Sequence, residues 1–170
     1  LALVMALVQA VLPMWGARRG HAGWIAAARP AAWGQFIAIA FAYAVLTQAF
    51  VSHDFSLRTV AEHSNTLLPT AYRVAAVWGG HEGSMLLWTL MLAGWGLVAA
   101  LAPEGHGERL RAQVLAVMGW LGAGFLLFVI VTSNPFERLA MVPADGRDLN
   151  PLLQDPAMMA HPPLLYIGYV

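Results

Sequence analysis

Long uncharged stretches alternate with shorter polar ones along this chain. Residues 31–51, 83–102 and 112–132 each run without a charged side chain. Each has the ~20 residues that a helix needs to cross roughly 30 Å of hydrocarbon. Residues 1–17 are uncharged too; they lack the basic leading region of a signal peptide and are expected to be the remainder of a further span. A fifth apolar segment starts near Pro162 and runs to Val170, where it is expected to be cut short. Lipid offers no partner for an unpaired backbone group, so every span should be helical. The pattern predicts an all-α polytopic transmembrane protein in one membrane domain, 1–170. It has four spans, the start of a fifth, and two long loops at 52–82 and 133–161.

The two long loops differ in character. Loop 52–82 reads as a partly amphipathic helix around Ser56–Glu62, a turn at Asn65–Pro69, and a second short helix from Thr70 to Val77. Its Leu57, Val60, Ala61, Leu67 and Leu68 suit a membrane face. Loop 133–161 carries Pro135, Pro143, Pro151 and Pro156 beside Asn134, Asp145, Gly146 and Asn150, residues that favour turns over helix. A long polar loop with that much specific turn chemistry is more often a binding surface than a spacer.

Arginine placement orients the spans. Arg18, Arg19, Arg29, Arg109 and Arg111 crowd the two short loops, 18–30 and 103–111, whereas Arg58, Arg73, Arg138 and Arg147 are spread over the long ones. The positive-inside bias puts the short loops in the cytoplasm and the long ones on the outer, periplasmic side. His106, between Gly105 and Gly107, then reads as a cytoplasmic loop residue. Composition agrees with a membrane protein: 59% hydrophobic and 11% charged residues, with formal net charge zero. No basic run points to nucleic acid. The absence of cysteine excludes disulfides, zinc–thiolate sites, iron–sulfur clusters and thiol nucleophiles from this stretch.

Two polar motifs lie on the predicted outer side. In His161-Pro162-Pro163, the prolines suit the first turn of a helix, which places His161 at the entry to the fifth span. A neutral imidazole there could ligate iron; it could equally cap the helix or bond a loop carbonyl. The other motif, Trp78-Gly79-Gly80-His81-Glu82-Gly83-Ser84, opens the third span. Its His81, Glu82 and Ser84 are candidate partners of a polar ligand, assisted by backbone N–H groups at a helix start. Helix capping by Ser84 or Glu82, with the glycines permitting a turn or close packing, is the simpler reading. A His-Glu pair without a second histidine four residues on fails the zinc-protease pattern, and Gly-Ser lacks the nucleophile-elbow spacing. No catalytic group is assigned.

Other residues rank behind these. His53 and Asp54 form a candidate local pair with His63 nearby. Arg147 either pairs with Asp148 or meets a ligand carboxylate. Gly119, Gly122 and Gly124 indicate close helix contact, which needs no ligand.

From Asp54 to the end, separated pieces recur in order: Asp54-Phe55-Ser56, His63–Pro69, Tyr72–Val77, Trp78–Trp88, Phe125–Phe128, Thr132–Arg138, Gly146–Pro156 and His161–Val170. Together they closely resemble the CcmF/NrfE family of cytochrome c-type biogenesis proteins, the haem lyase subunits of bacterial cytochrome c maturation. The resemblance implies an inner-membrane protein that accepts b-type haem in transit from the chaperone CcmE. It would help attach that haem to the Cys-x-x-Cys-His motif of an apocytochrome c, alongside a CcmH-type thiol-reducing subunit. His161 matches the first of two axial histidines for the incoming haem. Trp78, His81, Glu82, Ser84 and Arg147 become weaker haem-contact candidates: Trp78 by stacking, Arg147 on a propionate. The second histidine and the ligands of a resident haem lie farther along the family's sequence, so this stretch alone is expected not to be a competent lyase. Two rival readings are a membrane scaffold without haem ligation and a transporter or channel subunit. Against the latter, no charged or histidine residue sits in the middle of spans 31–51, 83–102 or 112–132.

Overall fold

A computed structural model describes residues 1–102 and 107–169; His106 lies outside the described residues. The described residues are all-helical, with no strand beyond an isolated bridge between Leu57 and Arg138. In chain order the helices are α1 (Ala2–Arg19), α2 (Ala22–Ala26), α3 (Ala28–Val51), α4 (Arg58–His63), α5 (Thr70–Ala76), α6 (His81–Leu101), α7 (Glu108–Thr132) and α8 (Pro156–Tyr169). A short 3-10 turn, Pro151–Gln154, precedes α8. Among the described residues three stretches are long and apolar enough to cross a membrane: Ala22–Val51, His81–Leu101 and Glu108–Thr132. Residues 2–17 fall within α1, an 18-residue helix that contains Pro13 and ends on Arg18 and Arg19.

The helices overrun the charge boundaries that delimit the uncharged runs, because an arginine marks a polar edge and does not stop a helix. Loop 18–30 shrinks accordingly to a turn between α1 and the short α2. Gly20 makes that turn in the left-handed conformation, φ 71°, with its N–H on the carbonyl of Gly16. This is a C-terminal cap that only glycine adopts at no steric cost. Arg109 Nε donates to the Ala17 carbonyl at 2.5 Å and Arg111 Nη1 to the Ala102 carbonyl at 2.8 Å. The arginines that set the charge bias thus also satisfy carbonyls at the ends of α1 and α6.

The chain forms two compact units, Leu1–Ala40 with Thr89–Phe128, and Phe41–Trp88 with Val129–Val170. In the first, small residues let helices approach. Ala28, Ala32, Ala100, Ala112 and Leu115 form one buried cluster. A Cβ on Gly119 would stand 2.7 Å from the backbone nitrogen of Ala10 and 3.0 Å from the Ala6 carbonyl. A Cβ on Gly122 would overlap the Gln35 amide. Gly124 has nothing within 4 Å, so two of the three glycines mark helix contacts and the third does not. Buried Gln9 donates through Nε2 to the Leu115 carbonyl at 2.8 Å. Apolar contacts alone give helices little reason to associate in lipid, and these close approaches and polar bonds supply one.

The second unit holds α4, α5, α8 and the segments expected as outer loops. Helices α4 and α5 fall where the amphipathic pattern and the Thr70 start place them. Segments 52–82 and 133–161 do not stand apart. The Arg58 N–H bonds the Glu137 carbonyl and the Leu139 N–H bonds the Ser56 carbonyl, both at 2.9 Å. Arg58 also meets Glu137 Oε2 at 2.7 Å, and Arg138 donates to Ser56 Oγ at 3.0 Å.

Gly119→Leu should destabilise the protein by ~1–3 kcal/mol through overpacking against α1, read as a lower melting temperature in detergent. Gly124→Leu, with open space around it, should leave the melting temperature near wild type.

Candidate functional site

Helix α8 begins earlier than the His-Pro-Pro motif predicts. Asp155 Oδ1 accepts the N–H groups of Ala157 at 2.9 Å and Met158 at 3.0 Å, and Pro156 takes the first helical position. This is an N-cap followed by a favoured N1 proline. His161 therefore lies in the second turn of the helix, not at its entry, and Pro162 and Pro163 are interior. Two interior prolines remove the donors that the carbonyls of Met158 and Met159 would meet four residues on.

One of those carbonyls is recovered by the other motif. Trp78 Nε1 donates to the Met159 carbonyl at 3.1 Å, the oxygen that Pro163 cannot serve. Two turns farther along, Trp88 of α6 stacks on Tyr166 of α8, with centroids 5.8 Å apart and planes at 8°. Burial along α8 reports the same seating. Met159, Pro162, Pro163 and Tyr166 are half-buried while every other residue of the helix is exposed, the i, i+3, i+4, i+7 stripe of a helix packed on one side. His161 is off that stripe. Its ring is exposed and has no hydrogen-bond partner among the described residues.

The glycine motif is closed by its own bonds. Ser84 Oγ donates to the Trp78 carbonyl at 2.8 Å, so its hydroxyl does not act as an N-cap acceptor. A Cβ on Gly83 would run into the Val77 carbonyl, one on Gly80 would press on the His63 ring, and one on Gly79 would stand 3.1 Å from Leu149 Cδ1. All three glycines serve close packing. His81 shares a 3.1 Å bond between Nδ1 and the hydroxyl of buried Ser133, and Glu82 sits in the first turn of α6, where its charge suits the helix dipole. The motif folds as a joint between α5, α6, the 133–155 segment and α8.

Around this joint, the remaining polar residues are mostly spoken for. His53 accepts from Arg73 Nη1 through Nε2 at 3.0 Å, and Arg73 also holds the carbonyls of Val51 and Leu68. Asp54 turns to the hydroxyl and N–H of Ser56, so the expected pair with His53 does not form. Asp148 bonds Asn65 and makes no ion pair with Arg147 among the described residues. The Arg147 side chain is exposed and lines an open recess of about 330 Å³ with Glu62, Met141, Pro143 and Asp145. Gly146 seats this turn against α4: a Cβ there would strike the Ser64 carbonyl, and the neighbouring Arg147 N–H bonds the Ala61 carbonyl at 2.7 Å. Among the described residues no group of three or more His, Asp or Glu side chains converges.

An all-helical chain with three membrane-length apolar helices, and an exposed histidine on a helix held by tryptophans, defines the class as an integral membrane protein. Residues 78–170 match the family described as Cytochrome C assembly protein. The cytochrome c-type biogenesis protein ccl1 of Rhodobacter capsulatus is 59% identical over 170 residues, covering 100% of this chain and 26% of that protein. CcmF of Pseudomonas aeruginosa is 56% identical over 171 residues with the same coverage. A solved structure titled Cytochrome c Heme Lyase CcmF superposes with TM-score 0.82 at 27% identity, covering 99% of this chain and 26% of that one. This chain belongs to the cytochrome c assembly family of CcmF-type biogenesis proteins, and it spans about a quarter of the length of these relatives.

Asp145 joins segments 52–82 and 133–161 by accepting the Thr66 hydroxyl at 2.8 Å and the Thr66 N–H at 3.0 Å. Those bonds, the hydroxyl first, hold its carboxyl below the usual carboxylate range. A lowered folded-state pKa means the stabilisation is complete above the ordinary carboxylate value and is lost as pH falls through the lowered one. Hydrogen-exchange protection of the Thr66 amide should follow that acid profile, and Asp145→Asn should flatten it.

Proposed function

We propose that this chain is the part of a haem lyase that presents His161 to haem in transit to cytochrome c. The reading rests on one observation: His161, unlike His81, combines an exposed ring that has no hydrogen-bond partner among the described residues with a helix anchored on its opposite stripe. An imidazole nitrogen not committed to the protein is what an axial iron ligand requires. The names of the relatives, a haem lyase among them, support the haem-handling part of the reading.

In this reading the protein resides in the bacterial inner membrane. Residues 1–17 act as a fourth span beside the three membrane-length helices, and α8 leads into a fifth. The paired segments 52–82 and 133–161 face the periplasm, as the arginine bias requires. Haem arrives there from a CcmE-type chaperone and meets an apocytochrome c whose thiols a CcmH-type subunit keeps reduced. Each thioether forms by adding a cysteine S–H across a vinyl C=C, making one S–C and one C–H bond with no leaving group. The thiols belong to the apocytochrome, and this cysteine-free stretch offers no competing thiol. Its contribution is orientation and axial ligation. Arg147, exposed and without an ion pair among the described residues, is a cation suited to a propionate. His81 and Ser84, engaged with Ser133 and Trp78, support the joint; Glu82 complements the α6 dipole.

The test uses the complete protein that carries this chain, in a host deficient in cytochrome c maturation. Haem attached to a reporter cytochrome is compared at matched membrane abundance. His161→Ala should cut attachment at least ~10-fold, as expected when an oriented ligand is lost, and added imidazole should restore part of it. Attachment equal to wild type would reduce His161 to a helix residue.

A further inference from the structure

The two proline positions and one indole point to a role for Trp78 that neither motif announces. A helix interior with consecutive prolines has lost two hydrogen bonds and bends or rotates easily. In α8 that weak point directly follows His161. Trp78 repairs it from outside by donating to the Met159 carbonyl at 3.1 Å. The stacked Trp88 and Tyr166 hold the same stripe nearer the other end of the helix. The two fastenings, on Met159 and Tyr166, lie on the same face of the helix seven residues apart and oppose its rotation about the axis. His161, two residues or about 200° from Met159 at ~100° per residue, is then held on the open side.

We propose that Trp78 is a positioning residue: by occupying the carbonyl that Pro163 leaves without a donor, it fixes the roll of α8 and so the direction from which His161 approaches haem iron. The proposal rests on His161 being the iron ligand. Trp78 acts through the Met159 carbonyl and does not need to touch haem. Its half-buried ring and committed N–H also argue against the stacking role that its sequence neighbourhood invites.

The geometry provides its own rescue. Replacing Pro163 with alanine returns a backbone N–H at the position that bonds the Met159 carbonyl, so the indole becomes redundant. The full-length protein is prepared as wild type, Trp78→Phe, Pro163→Ala, Trp78→Phe/Pro163→Ala and His161→Ala, at matched membrane abundance. Three readouts are taken: the electronic absorption of bound haem, haem attachment to the reporter cytochrome, and hydrogen exchange of the α8 amides. Trp78→Phe removes the indole N–H and keeps a smaller aromatic ring, and the comparison with Pro163→Ala separates loss of the donor from loss of ring volume. It should weaken the histidine-ligated haem signature, lower attachment ~5–10-fold, in line with one lost hydrogen bond, and speed α8 exchange. The double variant should match Pro163→Ala in all three.

A double variant no better than Trp78→Phe would overturn the carbonyl route and favour direct contact between the ring and haem. Wild-type spectrum and attachment in Trp78→Phe, with His161→Ala impaired, would overturn positioning alone. If His161→Ala is itself unimpaired, the ligand assignment fails first and takes the proposal with it.

Discussion

A carbonyl oxygen in an apolar helix has to find a donor, and Pro162 and Pro163 each take one away from α8. Much of the second unit can be understood as the answer to that deficit. Trp78 reaches the Met159 carbonyl, and it can do so because Gly83 lets the start of α6 close onto the Val77 carbonyl while Ser84 ties back to Trp78. The same requirement operates elsewhere. Arg109 and Arg111 serve the ends of α1 and α6, and Gln9 serves Leu115 from a buried position. Where water is excluded, an unserved polar group costs several kcal/mol, so side chains are placed to meet backbone before they are placed to meet ligands.

That priority changes how the polar residues read. A histidine, a carboxylate and a serine gathered at the mouth of a span look like a binding site, yet His81 and Ser84 spend their polar atoms on Ser133 and Trp78. His63 bonds the Thr59 carbonyl, and its ring packs where a side chain on Gly80 would stand. His161 is different because its helix is secured by other residues. The half-buried stripe of Met159, Pro162, Pro163 and Tyr166 seats the helix, and His161 lies on its exposed face. An exposed side chain on a helix secured from its opposite face is held in one orientation by groups other than itself.

Pairing of segments 52–82 and 133–161 supplies the platform. Backbone bonds between Ser56 and Leu139 and between Arg58 and Glu137, the Arg58–Glu137 ion pair and the Asp145–Thr66 bonds join residues about eighty positions apart. The exposed ion pair is worth little alone, ~0–1 kcal/mol. Gly146 and the backbone bonds fix the register, and the charges decorate it. Segment 133–155 thereby comes to rest on Gly79 through Leu149 and Leu153, linking the paired segments to the α6 entry.

Composition and run length were sufficient for the all-helical membrane class, because the hydrophobic requirement of a span is one-dimensional and is met residue by residue. The short helices α4 and α5 were legible for the same local reason. The start of α8 was legible as well, in Asp155-Pro156, but the louder Pro162-Pro163 signal masked it; a helix reads its cap from side-chain bonds to free N–H groups, and tolerates interior prolines when a neighbour supplies the missing donor. Helix ends beyond the arginines were missed because charge marks a polar boundary and not a hydrogen-bond terminus. The pairing of segments 52–82 and 133–161, the closure of the glycine motif and the engagement of Trp78 with Met159 depend on contacts between residues far apart in the chain, whose partners no local pattern names. His161 could be singled out from its sequence; that its ring is exposed and its helix held from the opposite side was decided only by the tertiary packing, because orientation about a helix axis is a property of what the helix rests on.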